Sequence, residues 1–263
     1  MNLVRLIFQT NISKDGRNND WTILSLRRYF LNASRGLIRG AEVRNIFGKA
    51  LGINSIVTTA YRTPWELASD YVFPTSAVPM TVTSSIGTTA DDGVQVLIKG
   101  LDADWNYKQE VATINNASPF VTTDFLRIND AIVISGIPTG NISVINSSVV
   151  YSKIMAGTGR DQKAVFSVPA NHCFYLYRID GFATDSNGGK AAFFRNYVKN
   201  NITGTEFRVA ETQFFVNMNI VRRFPFKYDQ KSDIKLQLKS SSGSIDGSLF
   251  AEGLLLREPI SDS

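Results

Sequence analysis

Residues 96–116 read VLIKGLDADWNYKQEVATINN, and the fold turns on whether Asp102, Asp104 and Asn106 open a calcium loop or close a hairpin. Their D-x-D-x-N spacing is the one with which EF-hand loops begin, but such a loop needs glycine at its sixth position and an acidic ligand at its twelfth. Those positions hold Tyr107 and Thr113. Before the motif, Val94, Val96 and Ile98 alternate with Gln95 and Lys99, the period of a half-buried strand, and YKQEVATIN follows as a second run of the same kind. Asp and Asn tolerate tight turn geometry and hydrogen-bond to their own backbone. The stretch therefore predicts a β-hairpin and no metal site.

The same pattern extends along the chain. Fourteen strand-like runs follow one another from VPMTVTSS (78–85) to SLFAEGLLL (248–256), separated by turn signals such as DDG (91–93), AGTGR (156–160), NNITG (200–204) and SSSGS (240–244). Short strands with turns at this spacing point to an all-β protein of antiparallel, jelly-roll-like sandwiches. About fourteen strands exceed one simple sandwich, and although one large sandwich would read similarly, a division near AGTGR (156–160) into two β-domains is favoured. The expected organisation is an extended N-terminal arm with a short helix over residues 1–60, a first β-sandwich over 61–155 and a second over 156–263. Within the arm, WTILSLRRYFLN (21–32) predicts the helix, with Ile23, Leu26 and Phe30 on one side.

Composition narrows the chemistry. The 263 residues are 43% hydrophobic and 19% charged, a mix that suits strands. One cysteine, Cys173, excludes an intrachain disulfide. It adjoins the only histidine, His172, and neighbours on a strand point to opposite faces, so a Cys-His nucleophilic pair is not expected. Phosphate-binding loops and dinucleotide fingerprints are missing from the sequence. No enzymatic activity, cofactor or metal is expected, and no run approaches the length of a membrane-spanning helix. With no secretory signal at its start, the chain is expected to fold in a cytoplasm.

Charge is uneven. Residues 1–60 carry nine basic and three acidic residues, while the remaining 203 carry 19 basic and 20 acidic, so the net +5 belongs to the N-terminal segment. Arg27, Arg28, Arg35, Arg39 and Arg44 are the candidate partner-binding residues. Scattered as they are, they suit an acidic protein surface better than nucleic acid, which is not an expected partner. The aromatic pairs in FYLYRIDGF, AAFFRNY and TQFFVN should each place one ring in the core and its neighbour outward, to pack on another subunit or to stack on sugars, with the subunit interface favoured.

Five segments, GLIRGAEVRNIFG, YRTPWELASDYVFP, VLIKGLDADWNYKQEVATIN, FLRINDAIVISG and AVFSVPANHCFYLYRIDGF, run in order from residue 36. With them the chain resembles a family of structural virion proteins from tailed bacteriophages, of the cyanophage and marine-phage type. The most specific parts are the turn Gly100 to Asn106, the stretches Asn116 to Thr123 and Phe125 to Asn129, and the later pattern Val168 to Ile179. Asn171, His172 and Cys173 stand where family members commonly have a Gly-Lys-Thr-like turn.

The resemblance implies a non-enzymatic virion component assembled in the host cytoplasm. Such a component docks on capsid, neck or tail subunits and forms a homo-oligomer, as a trimer or ring. A capsid-decoration, cement or neck role is favoured over a fibre, because long coiled coils and β-helical repeats are missing from the sequence. The alternative is a host-glycan-binding fibre or tail-associated adhesion module.

Overall fold

The computed structural model describes residues 28–57, 60–185 and 189–258. It is an all-β protein, and every pairing between its strands is antiparallel. Among the described residues no helix is long and apolar enough to cross a membrane.

The opening stretch is a hairpin. Strand β4 (Gln95–Leu101) pairs with β5 (Tyr107–Thr113) in unbroken register from Gln95 opposite Thr113 to Leu101 opposite Tyr107. In the turn, Asp102 Oδ1 accepts the backbone N–H groups of Asp104 and Asn106, both at 2.9 Å. The residue in left-handed geometry is not an Asp or Asn, as the composition of the turn suggests, but Trp105, at φ 68°.

This hairpin belongs to a compact sandwich. One sheet has the order β5-β4-β7, with β7 at Arg127–Ser135. The facing sheet has the order β6-β3-β8-β9, formed by Phe120–Val121, Thr81–Ser84, Ile142–Asn146 and Val149–Ile154. Between them lie Met80, Val96, Ile98, Phe125, Ile128, Ile142 and Ile154, all inaccessible or nearly so. At one end the loops converge on Asp91, a buried carboxylate. It accepts hydrogen bonds from Ser84 Oγ, Thr139 N, Thr139 Oγ1 and Gly140 N. Burial alone raises the pKa of Asp91, but these four bonds reverse the effect and hold it at about 2.

The second sandwich draws on both ends of the described chain. Its first sheet has the order β1-β16-β11-β14, formed by Ala41–Ala50, Ser244–Arg257, His172–Thr184 and Asn217–Tyr228, with β2 (Ile56–Val57) alongside β16. The second has the order β10-β15-β12-β13, formed by Val165–Ser167, Ser232–Ser240, Ala192–Asn200 and Glu206–Phe214. Setting β2 aside, the strands pair first with last, second with seventh, third with sixth and fourth with fifth. That is a long hairpin wrapped on itself, the jelly roll. Phe166, Phe174, Phe194, Tyr228, Leu236, Leu238 and Leu249 fill its interior.

Because β1 is the first strand of this jelly roll and β10 the second, the smaller sandwich is an insertion between them. Ala41–Ala50 was expected in the arm and is instead a sheet strand, paired over its whole length with β16. As the outermost strand it is only partly buried, so its polar residues mask the strand period. Gly48 serves a close backbone crossing: a Cβ there would lie 2.2 Å from the carbonyl oxygen of Pro64. Residues 1–27 of the expected arm lie outside the described residues.

Replacing Asp91 with Ala leaves four loop donors without their acceptor and is expected to cost roughly 3 kcal/mol near neutral pH. A depressed carboxylate contributes stability above its unfolded pKa and loses it as pH falls. The gap between wild type and variant should therefore shrink from about pH 4 downward. Urea denaturation at several pH values measures both, and a variant as stable as wild type would refute the role given to Asp91.

Candidate functional site

The candidate arginines separate into two groups. Residues 28–34 are helical, and Tyr29, Phe30 and Ala33 pack on the outer face of the β1-β16-β11 sheet against Cys173, Leu254 and Leu256. Phe30 and Tyr177 bring their ring centroids to 4.2 Å. The helix ends because Gly36 takes φ 69°, with Leu37 N–H donating to Asn32 O and Gly36 N–H to Ala33 O, a Schellman arrangement. Arg28, Arg35 and Arg39 are exposed around this packed layer. Arg27 lies outside the described residues. Arg44 is turned inward: Nη2 donates to the Tyr107 hydroxyl at 2.6 Å and pairs with Glu42 at 2.8 Å. It ties β1 to the hairpin of the insertion and does not stand with the other three.

The hairpin tip is the place where the two sandwiches meet. Trp105 O accepts the N–H of Ala170 at 2.8 Å, and its ring lies beneath the Arg127 guanidinium, whose carbon is 4.6 Å from the ring centroid. Arg127 in turn forms a bidentate pair with Asp233 of β15, Nε to Oδ1 at 2.9 Å and Nη2 to Oδ2 at 2.8 Å. Nη1 donates to Pro74 O and Leu126 O. Asp233 also accepts from Ser167 Oγ and Asn201 Nδ2. Both side chains of the pair are almost inaccessible, at 6% and 3%. Beside them the Asn129 amide exchanges two hydrogen bonds with the backbone of Ser167.

Sequence reasoning did not single out Arg127 or Asp233. Alternation did not mark them, because Arg127 in FLRI stands between the apolar Leu126 and Ile128 just as a solvent-facing charge on a half-buried strand does.

A second charged group lies behind this junction. Asp130 pairs with Arg160 at 2.9 and 3.1 Å, and Asp161 with Lys163 at 2.7 Å and Ser152 at 2.6 Å. Burial and the neighbouring Asp161 charge push the Asp130 carboxyl up to about 6, although Arg160 opposes this. Asp161 is lowered: burial raises its pKa, but Lys163 and its hydrogen bonds outweigh burial. Two carboxylates with divergent pKa values suggest acid-base chemistry. Here both are buried and held by the chain's own cations, which is the arrangement of a structural junction.

Other reactive groups are equally occupied. Burial pushes the Cys173 thiol up to about 11, so it is protonated near neutral pH. His172 Nδ1 lies 2.7 Å from Ala170 O, and its ring meets Tyr107 edge-on. Among the described residues no group of three or more His, Cys, Asp or Glu side chains is placed to hold a metal. The aromatic pairs split much as their alternation requires, with Phe174, Phe194 and Phe214 buried while Tyr175 and Phe193 are half-buried and Phe215 is exposed.

Two outcomes are expected. Arg127→Met strands the Asp233 carboxylate in the interior and should cost about 4 kcal/mol in urea unfolding, and a loss below ~1 kcal/mol would contradict the role of the pair. Asp130 has a raised folded pKa, so its contribution to stability is full below its unfolded pKa and is lost as pH rises through about 6. Asp130→Asn should therefore show less loss of stability than wild type between about pH 4 and pH 6, measured by parallel denaturation curves.

No protein-family model matches the chain, and no curated protein is significantly similar to it. Among solved structures, the chain is similar to the VP2 subviral particle of infectious bursal disease virus, at 12% identity, covering 84% of this chain and 77% of that one, with a TM-score of 0.19. A structure of the Gx strain of the same virus gives 10% identity, the same two coverages and a TM-score of 0.22. At such TM-scores the chains share no overall superposition, and the likeness carries no weight in the functional reading.

Proposed function

We propose that this chain is a non-enzymatic structural protein of a tailed-phage virion, assembled in the host cytoplasm and docked on capsid, neck or tail subunits. A capsid-decoration, cement or neck position is favoured. The observation that carries this reading is the eight-stranded jelly roll whose interior is filled by Phe166, Phe174, Phe194 and Tyr228. Jelly rolls serve as capsid and lectin domains. An interior closed by large side chains leaves the outer surfaces to act, as an assembly protein requires. The segments resembling phage virion proteins support the same reading, because Trp105, Arg127, Asn129 and Ala170 within them join the insertion to the jelly roll.

The exposed Arg28, Arg35 and Arg39 are the docking residues in this proposal, together with Arg27. Their contact is an acidic surface on a neighbouring virion protein. Arg44 is left out, since its guanidinium is engaged by Tyr107 and Glu42.

The test is incorporation into particles. Replacing Arg28, Arg35 and Arg39 with Glu should remove the protein from purified virions while leaving its unfolding curve unchanged, because all three are exposed. Normal incorporation of the triple variant would overturn the docking role. Quantitative mass spectrometry of wild-type virions against the major capsid protein then separates the positions. Stoichiometry with the capsid lattice supports decoration, and a single ring's worth supports the neck or tail. Absence from purified virions would refute the proposal.

A further inference from the structure

A sheet edge left open is a template for pairing, and folded proteins cover or blunt such edges. The jelly roll has two pairs of edge strands. On one side, β1 and β10 face the insertion across a cleft lined by Val43 to Phe47, Asn129, Asp130 and Ile132. On the other, β14 is blunted by Pro225, which has no N–H to offer. Strand β13 remains. Among the described residues it pairs only with β12, and most of its residues are exposed.

The exposed apolar residues gather at the ends of this strand. Ile202, in the turn before it, is 59% exposed, and Phe215 and Val216, in the turn after it, are 62% and 47% exposed. Val216 also holds φ 59°, a left-handed conformation that a β-branched residue adopts only under constraint. Its carbonyl accepts the N–H of Ala183, which fixes the turn with these two side chains outward.

The charges of β13 are complementary to themselves. A bulge inserts Val209 between Arg208, opposite Tyr197, and Ala210, opposite Asn196. The extra residue places Arg208 and Glu211 on the same face, where they pair at 3.6 Å while remaining 62% and 42% exposed.

We propose that β13 is a self-association edge, and that its occupant is β13 of a second copy of this chain, antiparallel about a twofold axis beside Val209 and Ala210. One register satisfies all three features. Setting Arg208 opposite Glu211 of the second copy also sets Glu206 opposite Gln213 and Phe207 opposite Thr212. It further brings the Ile202 turn of each copy beside Phe215 and Val216 of the other. A slip of two residues that sets Glu206 against Glu211 opposes like charges, and a slip of one turns the side chains to the wrong face. The exposed ion pairs select the register, and the backbone ladder with the apolar ends supplies the affinity. This inference stands apart from the virion reading, since it concerns only the purified chain.

The test is a charge swap read by sedimentation velocity over a concentration series. Wild type should form a dimer. Arg208→Glu and Glu211→Arg should each weaken it at least about tenfold, ~1.4 kcal/mol, because each places like charges face to face. Mixing the two variants should restore a heterodimer, since only in the mixture does the carboxylate introduced in one variant face the guanidinium introduced in the other across the axis. Phe215→Asp should weaken association likewise. Circular dichroism confirms that these surface variants are folded. A wild type that stays monomeric, a dimer unmoved by either single variant, variants that fail to rescue one another, or a trimer as the only assembly would each overturn the proposal.

Discussion

A guanidinium removed from water between two β-sandwiches is tolerable only if its donors find acceptors and its charge finds an opposite. Arg127 meets both conditions. Its nitrogens reach Asp233, Pro74 O and Leu126 O, with Trp105 and Phe73 against the planar faces. Lysine lacks the fork that holds a carboxylate bidentately, so the position demands arginine. Such a pair adds little net stability over a well-packed apolar substitute, but breaking it is costly, which makes it a device for orientation. The pairing of β7 with the second sandwich through Arg127 and Asn129 fixes where the insertion sits on the jelly roll. The strained backbone of Trp105 follows from the same need, since the left-handed turn delivers both its ring and its carbonyl to the junction.

Much of this architecture was legible in the chain. Strands β3 to β16 fall within or overlap the fourteen runs read from alternation and turn residues, and only FVTTDFLRI divides between two strands, β6 and the start of β7. Alternation works there because most of these strands have one face on a core and the other more exposed, while the more fully buried β10 and β15 still show as runs bounded by turn residues. It failed at β1, whose polar edge residues and Gly48 imitate an irregular segment. A local pattern holds no information about the strand 200 residues later that completes the sheet, here β16. The same limit hid the insertion, because order along the chain suggests two successive sandwiches whereas pairing of β1 with β16 encloses one between strands of the other.

The site was less legible than the fold, for a related reason. Arg28, Arg35, Arg39 and Arg44 look alike in the sequence, yet the first three are exposed and the fourth is captured by a tyrosine 63 residues away. Exposure is a property of tertiary placement. Arg127 and Asp233 are separated by 106 residues and acquire their meaning only when buried together. What the sequence did carry was the set of segments that meet at the junction, since Gly100, Trp105, Arg127, Asn129 and Ala170 all lie in the stretches singled out there. Gly100 shows why their residue types are narrow: a Cβ at that position would lie 1.9 Å from the carbonyl oxygen of Arg127.

Insertion also changes the problem of sheet edges. An isolated jelly roll presents edges on both sides, and each needs its own protection. Here the insertion leaves from β1 and returns at β10, so the connection that builds the smaller sandwich places it over the edge formed by those strands. Arg44 to Tyr107 and Asn129 to Ser167 hold it there. One edge is therefore answered by topology and β14 by a proline, while β13 carries neither device. Its bulge would ordinarily deter pairing by adding twist, yet this bulge aligns a cation and an anion on one face, and exposed apolar side chains, Ile202 at one end and Phe215 and Val216 at the other, flank the strand. Protection and association are alternative answers to the same unpaired backbone, and the residues of β13 are those of a strand built for the second.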